Sequence, residues 1–186
     1  MRIIVLLCLL ATLFGVSEPR AADCPASDVS CWQQKAEQGD STAQVALGMR
    51  YFLGLDFAQD YQLALEWFRK AAKQGHSAAQ YGLGGMYAFG NGVPQDYQQA
   101  ATWFRKAAEQ GLAKSQFSLG EMYTFGHGVP QDYVQAHKFY NLAAARLTGE
   151  AQEEAARRRA GLAKKMTPQQ IAEAQRLASE WKPKSD

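Results

Sequence analysis

The chain has 186 residues and a formal net charge of +2, too weak to recruit nucleic acid or an anionic membrane by electrostatics alone. Hydrophobic residues make up 47% and charged residues 20%. That balance excludes a disordered chain and fits one folded domain or a short repeat array.

In chain order, the first element is a targeting segment. Arg2 is followed by an uncharged apolar run, Ile3 to Val16. The run has the length of a signal-peptide core and is short for a membrane span. Residues 1–22 are expected to be a signal peptide, cut near Ala22 or alternatively near Ser17, with an uncleaved anchor as the other reading. Asp23 before Cys24 disfavours a lipoprotein cut. Cleavage removes Cys8 and leaves Cys24 and Cys31, an even number in an exported chain, which reads as one disulfide. Their spacing matches neither a zinc site nor a C-x-x-C redox motif. The expected location is periplasmic or secreted, with no membrane insertion after cleavage.

Next comes an internal period of 36 residues. At that shift Gly48, Gly84 and Gly120 coincide, as do Tyr51, Tyr87 and Tyr123, and Gly54, Gly90 and Gly126. Asp60, Asp96 and Asp132 align, as do Ala64, Ala100 and Ala136, and Ala71, Ala107 and Ala143. Trp67 and Trp103 are matched by Phe139. The repeats are bounded at 41–76, 77–112 and 113–148. Each predicts two helices. The first carries an apolar face, Ala43, Leu47 and Tyr51, after a capping-box pattern, Ser41 to Gln44 or Ser77 to Gln80, which Ala113 breaks in the third repeat. A glycine-rich loop follows, and an aspartate is placed to cap the second helix, which Gly75 or Gly111 ends. Small residues at Gly48, Ala64 and Ala71 are expected where helices cross closely, with Tyr51 and Trp67 filling the remaining space. A single hairpin cannot bury its apolar faces alone, so the units must stack.

The motif carried by Ala79, Leu83-Gly84, Tyr87, Gly90, Gly92-Val93, Asp96, Ala100, Trp103, Ala107-Ala108 and Gln110-Gly111 resembles the Sel1-like repeat family, a branch of the tetratricopeptide-like solenoids. The resemblance covers residues 41–146. It implies an all-α, right-handed α-α superhelix of three helix-turn-helix repeats with helical caps at both ends. Repeat one departs at Leu55-Asp56-Phe57-Ala58, so its turn is expected to differ in shape, with Phe57 as an added anchor. Repeat three departs after Ala144. Residues 23–40 resemble the second half of a preceding repeat and read as an N-terminal cap held by the disulfide. Residues 149–182 read as two helices capping the open end, the last opened by Thr167-Pro-Gln-Gln170, and 183–186 as a frayed tail.

Chemistry is sparse. His76, His127 and His137 lack the spacing of a helical metal pair and read as surface or helix-end residues. Asp60, Asp96 and Asp132 recur with the repeat, as N-caps do. No G-x-S-x-G motif supplies a nucleophile, and the Gly-x-Gly loops lack the Lys-Ser or Lys-Thr of a phosphate cradle. No catalytic residue, metal or cofactor is expected. Arg157 to Arg159 with Lys164 and Lys165 form a basic cluster that Glu150, Glu153 and Glu154 offset.

What varies between repeats is one stripe of the first helix. It comprises Thr42, Val45, Met49 and Phe52 in repeat one, then Ala78, Tyr81, Gly85 and Ala88, then Lys114, Phe117, Glu121 and Thr124. The resemblance places this stripe on the concave, ligand-facing row, and its apolar, aromatic character suits an interface core. Packing between neighbouring repeats is the competing role for each residue. The partner-binding set is thus Thr42, Val45, Met49, Phe52, Tyr81, Phe117 and Glu121. The function expected is a non-catalytic adaptor in the bacterial cell envelope that binds an unidentified protein or peptide. The alternatives are a cell-wall glycan-binding module or a β-lactamase-like enzyme. The enzyme reading is disfavoured because such relatives carry cysteine pairs inside the repeats, and residues 32–186 contain no cysteine.

Overall fold

The computed structural model describes residues 24–25 and 28–184; the expected signal peptide lies outside them. Among the described residues there are nine helices and no strand. These are α1 (Val29–Glu37), α2 (Ser41–Leu53), α3 (Tyr61–Lys73), α4 (Ser77–Phe89), α5 (Tyr97–Glu109), α6 (Ala113–Phe125), α7 (Tyr133–Ala144), α8 (Gly149–Ala163) and α9 (Pro168–Ser179). The chain is an all-α solenoid in which α2–α3, α4–α5 and α6–α7 are the three hairpins.

Second helices start where the sequence predicts. The carboxylates of Asp60, Asp96 and Asp132 each accept two backbone N–H bonds from the first turn of their helix. First helices do not use the expected capping boxes. Asp40 caps α2 by accepting from the Ala43 N–H at 2.8 Å, while His76 and Leu112 supply no side-chain cap. The glutamines of the supposed boxes reach across the stack instead. Gln44 donates to Ala36 O at 3.1 Å and accepts from Gln74 at 2.9 Å. One repeat on, Gln80 accepts from Gln110 at 3.1 Å, and Gln110 also donates to Gly75 O at 2.7 Å. Gln116 and Gln152 continue the pattern with bonds to Ala108 O and Ala144 O. Buried amides thus tie successive units to one another, which satisfies backbone carbonyls that the helix ends leave open.

The close crossing inside each hairpin forms at the predicted glycines, and the ring that meets them is a further aromatic of the second helix. A Cβ on Gly48, Gly84 or Gly120 would come within 2.7, 2.5 or 2.7 Å of the ring of Phe68, Phe104 or Tyr140. Phe68, Phe104 and Tyr140 are therefore the wedges that only glycine admits. Trp67 and Trp103 lie one residue earlier, half-buried, with the Lys70 and Lys106 ammonium groups 3.9 and 4.4 Å from their ring centres.

Repeat one keeps the loop of its neighbours, contrary to the sequence expectation. Gly54 is left-handed (φ 67°), as are Gly90 and Gly126. Asp56 also takes positive φ (45°), where Gly92 and Gly128 stand in the later repeats. The loop is closed by the same bond in all three, from Asp60 N–H to Tyr51 O, Asp96 N–H to Tyr87 O and Asp132 N–H to Tyr123 O. Aspartate tolerates the left-handed region better than most residues, and its carboxylate pairs with Arg50 at 3.0 Å. Phe57 stacks on Tyr51 with ring centres 4.6 Å apart, so it serves the scaffold.

At the N-terminus, α1 packs on α2, and Cys24 and Cys31 are joined in a disulfide. The C-terminal helices divide their labour rather than both capping the end. The first, α8, takes the register of a fourth first helix, with Ala155 fully buried at the place of Leu47, Leu83 and Leu119. The second, α9, opens with the predicted Thr167 capping box and packs on α7. Ala178 and Trp181 then join the core around Phe104 and Phe139. Lys184 is not frayed: its N–H donates to Glu109 O at 2.8 Å and its ammonium pairs with the Glu109 carboxylate at 2.7 Å. Residues 185 and 186 lie outside the described residues.

Candidate functional site

Stacking the hairpins sets α2, α4 and α6 side by side, and their outer faces line one groove of about 1080 Å³. Val45, Met49, Phe52, Tyr81, Phe117 and Glu121 of the predicted set all line it, as do Ala78, Gly85, Ala88 and Lys114. Thr42 does not: it is exposed at the start of α2, outside the groove lining. Thr124 is turned into its own helix, donating to Gly120 O at 2.7 Å.

The lining residues are not equally free. Val45, Tyr81 and Phe117 share one register, and each leans on the wedge aromatic of its own hairpin. Tyr81 lies 5.6 Å from Phe104 and Phe117 lies 5.5 Å from Tyr140, both tilted, while Val45 packs in the cluster of Phe68. Each is half-buried, so these residues serve packing and groove together. Met49 is freer, at 43% exposure.

Sequence reasoning missed the freest residues. Phe89 is 76% exposed and Phe125 54%, and both line the groove. Each is the last residue of its first helix, directly before the left-handed glycine, and Leu53 holds that register in repeat one at 51% exposure. A signal existed: an apolar residue recurred at period 36 at a helix end, where packing does not call for one. Tyr97 and His127 extend this rim, stacked 4.8 Å apart, with Phe125 a further 5.8 Å from His127.

The polar end of the groove belongs to Glu121. Its burial raises the carboxyl pKa; the Arg158 guanidinium, 3.8 Å away, opposes this, and the Glu154 charge adds to it. Burial likewise raises the Tyr81 phenol, offset by its hydrogen bond with Ser118 and reinforced by the Glu121 charge. Tyr81 therefore remains a neutral hydroxyl at neutral pH.

Of the three histidines, His137 is not at the surface. It is 4% exposed within α7, and its Nδ1 has no hydrogen-bond partner. Among the described residues no group of three or more His, Cys, Asp or Glu is placed to hold a metal ion. No described helix is long and apolar enough to cross a membrane. Within the basic cluster, Arg157 and Arg158 are paired, with Glu154 accepting from both.

Residues 41–76, 77–112 and 113–146 each match the Sel1 repeat. The chain belongs to the Sel1-repeat family. Proteins of this family are generally interaction scaffolds and typically non-catalytic. The crystal structure of c5321, a protective antigen of uropathogenic Escherichia coli strains that displays this fold, superposes with a TM-score of 0.76 at 39% identity over 93% of this chain. A Sel1 repeat protein from Oxalobacter formigenes superposes with a TM-score of 0.63 at 39% identity, over 71% of this chain and 98% of its own. The secretory immunoglobulin A-binding protein EsiB of Escherichia coli O6:H1 is 49% identical over 39 residues. This Sel1-repeat chain spans 36% of the c5321 chain and 8% of EsiB.

Proposed function

We propose that the protein is an exported, non-catalytic adaptor that holds a protein or peptide partner along the groove of α2, α4 and α6. The observation that carries this reading is the row of exposed apolar side chains at the groove, Met49, Phe89 and Phe125. Leaving such a row in water is unfavourable, and covering it with a partner recovers roughly 25 cal/mol for each Å² buried. The lining favours peptide over glycan. Its polar side chains are few, and the amides nearest the rim are engaged, since Gln95 and Gln131 donate to Ala88 O and Thr124 O. Export is supported by the apolar leader at Ile3–Val16 and by the Cys24–Cys31 bridge, because disulfides persist in oxidising compartments. The adaptor reading is supported by the apolar and aromatic lining of the groove and by membership of a family whose proteins are typically non-catalytic.

The test places a photo-crosslinking residue at Phe89 and, separately, at exposed Arg105 on the second-helix face. A protein crosslinked from position 89 and not from 105, and lost when Phe125→Ser is added, supports the groove. Equal capture from both positions places binding elsewhere. N-terminal sequencing of the chain recovered from the envelope fraction checks the export half, with a new terminus expected just after Ala22 or Ser17.

A further inference from the structure

The solenoid repeats its core with one exception. Residues 65, 101 and 137 share a register on the second helix, and all are buried, at 3%, 2% and 4% exposure. The first two are Leu65 and Ala101, and the third is His137. This register faces the following unit, since Ala101 packs with Leu119 and Met122 of the next hairpin. For His137 the following unit is α8. An imidazole thus stands where packing alone would place an aliphatic side chain, at the seam that holds the last first-type helix.

Nδ1 of His137 is buried and unpartnered. One turn further along α7, Asn141 Oδ1 accepts from Arg159 Nη1, which fixes a guanidinium of α8 on this face. Charged groups on the elements packed against α7 are Lys114 and Glu121 of α6, Glu150, Glu153, Glu154, Arg157, Arg158 and Arg159 of α8, and Glu173 and Arg176 of α9. Of these carboxylates, Glu121 and Glu154 meet Arg158, Glu153 meets Arg157, and Glu173 meets Arg176. Burial first, and the Arg159 charge second, hold the His137 imidazole below its usual pKa.

We propose that His137 is an acid-sensitive latch on α8, closed while the imidazole is neutral and loosened when it is protonated. A positive charge at the seam is desolvated beside Arg159, and the relief is for α8 to move away from α7. Because Arg158 of α8 meets Glu121 in the groove, loosening α8 also opens the third-repeat end of the groove. The latch stands on seam geometry and does not require the groove to bind a partner.

The sign follows from linkage. A histidine depressed in the folded state stabilises fully above its unfolded value, near 6.5, and that stability is lost as pH falls toward the folded value. If His137 stayed neutral while folded, the unfolding equilibrium constant would rise about 30-fold between pH 7.5 and pH 5. Glu121, whose pKa is raised, works in the opposite direction, so comparison with a neutral variant isolates the latch. His137→Leu and His137→Ala install the residues found at positions 65 and 101. Urea unfolding of the oxidised mature chain at both pH values should show the extra acid loss in wild type and not in either variant. Imidazole NMR of the unaltered chain should show His137 titrating below 6.5, with α8 amide signals moving at the same midpoint. Parallel acid losses in wild type and variants overturn the proposal, as does an imidazole that titrates without moving α8. Should neither variant fold at pH 7.5, the NMR titration decides alone.

Discussion

Asp56 and Gly128 occupy the same place in repeats one and three, and both hold a left-handed backbone, at φ 45° and 68°. Their surroundings differ. A Cβ on Gly128 would run into the backbone of Tyr97 and Gln98, the start of the second helix of the preceding repeat. Gly92 meets Tyr61 in the same way, with Tyr61 O 2.9 Å from the Cβ site. Before repeat one the corresponding position is Pro25, which precedes α1. Among the described residues no helix start stands at that place, which leaves room for aspartate in the first turn. The second glycine of the loop is required by the neighbouring repeat, not by the turn itself.

The strongest way to break that comparison is Gly128→Ala. It combines a strained left-handed alanine with a collision against backbone, which cannot rotate away. The expected loss is about 3–5 kcal/mol, read as a lower midpoint in urea unfolding. A loss below about 1 kcal/mol would show that the repeats separate easily at this point, and the stacking argument would fail. Gly84→Ala comes next. Its Cβ would meet the Phe104 ring at 2.5 Å, but a side chain can yield, so the expected loss is about 1–3 kcal/mol.

These contrasts also show what the sequence makes legible. The fold could be read because packing at a fixed period demands the same residue each time: Gly48, Gly84 and Gly120 recur because one wedge recurs. The aspartate caps could be read for the same reason. The serines and glutamines at 41–44 and 77–80 were misread as capping boxes because that pattern is local. The Gln44 amide bonds to residues 8 and 30 positions away, Ala36 and Gln74, and Gln80 meets Gln110, again 30 positions away, which only the stacked structure brings near. His137 reads in the sequence as a surface or helix-end residue because the helices that pack on α7 after the third repeat, α8 and α9, lie outside the recognised repeats. The groove was legible as a stripe of variable residues, but Phe89 and Phe125 were not. A search for variation overlooks a binding position that is itself repeated.

Gly85→Ala sharpens the distinction between seam and groove. Gly85 lies one residue beyond Gly84 and lines the groove, and a Cβ there meets nothing within 4 Å. Replacing a mid-helix glycine by alanine should raise stability by about 0.5–1 kcal/mol, seen as a higher melting temperature. The two neighbouring glycines should thus respond with opposite signs. If the crosslinked partner is lost from this more stable protein, the groove binds it and stability is not the cause.

The smallest expected effect closes the comparison with repeat one. Asp56→Gly relieves a left-handed aspartate, a gain of about 1 kcal/mol. Against this, glycine gives the unfolded chain more freedom, costing about 0.4–1 kcal/mol. The change also removes the ion pair to Arg50, in which the Asp56 side chain is 41% exposed, a loss of a few tenths of a kcal/mol after solvent screening. The contributions nearly cancel, so stability should change by no more than about 0.5 kcal/mol. A gain well above that would mean the first turn, like the other two, is under pressure from a neighbour, and that α1 presses on it as α3 and α5 press on theirs.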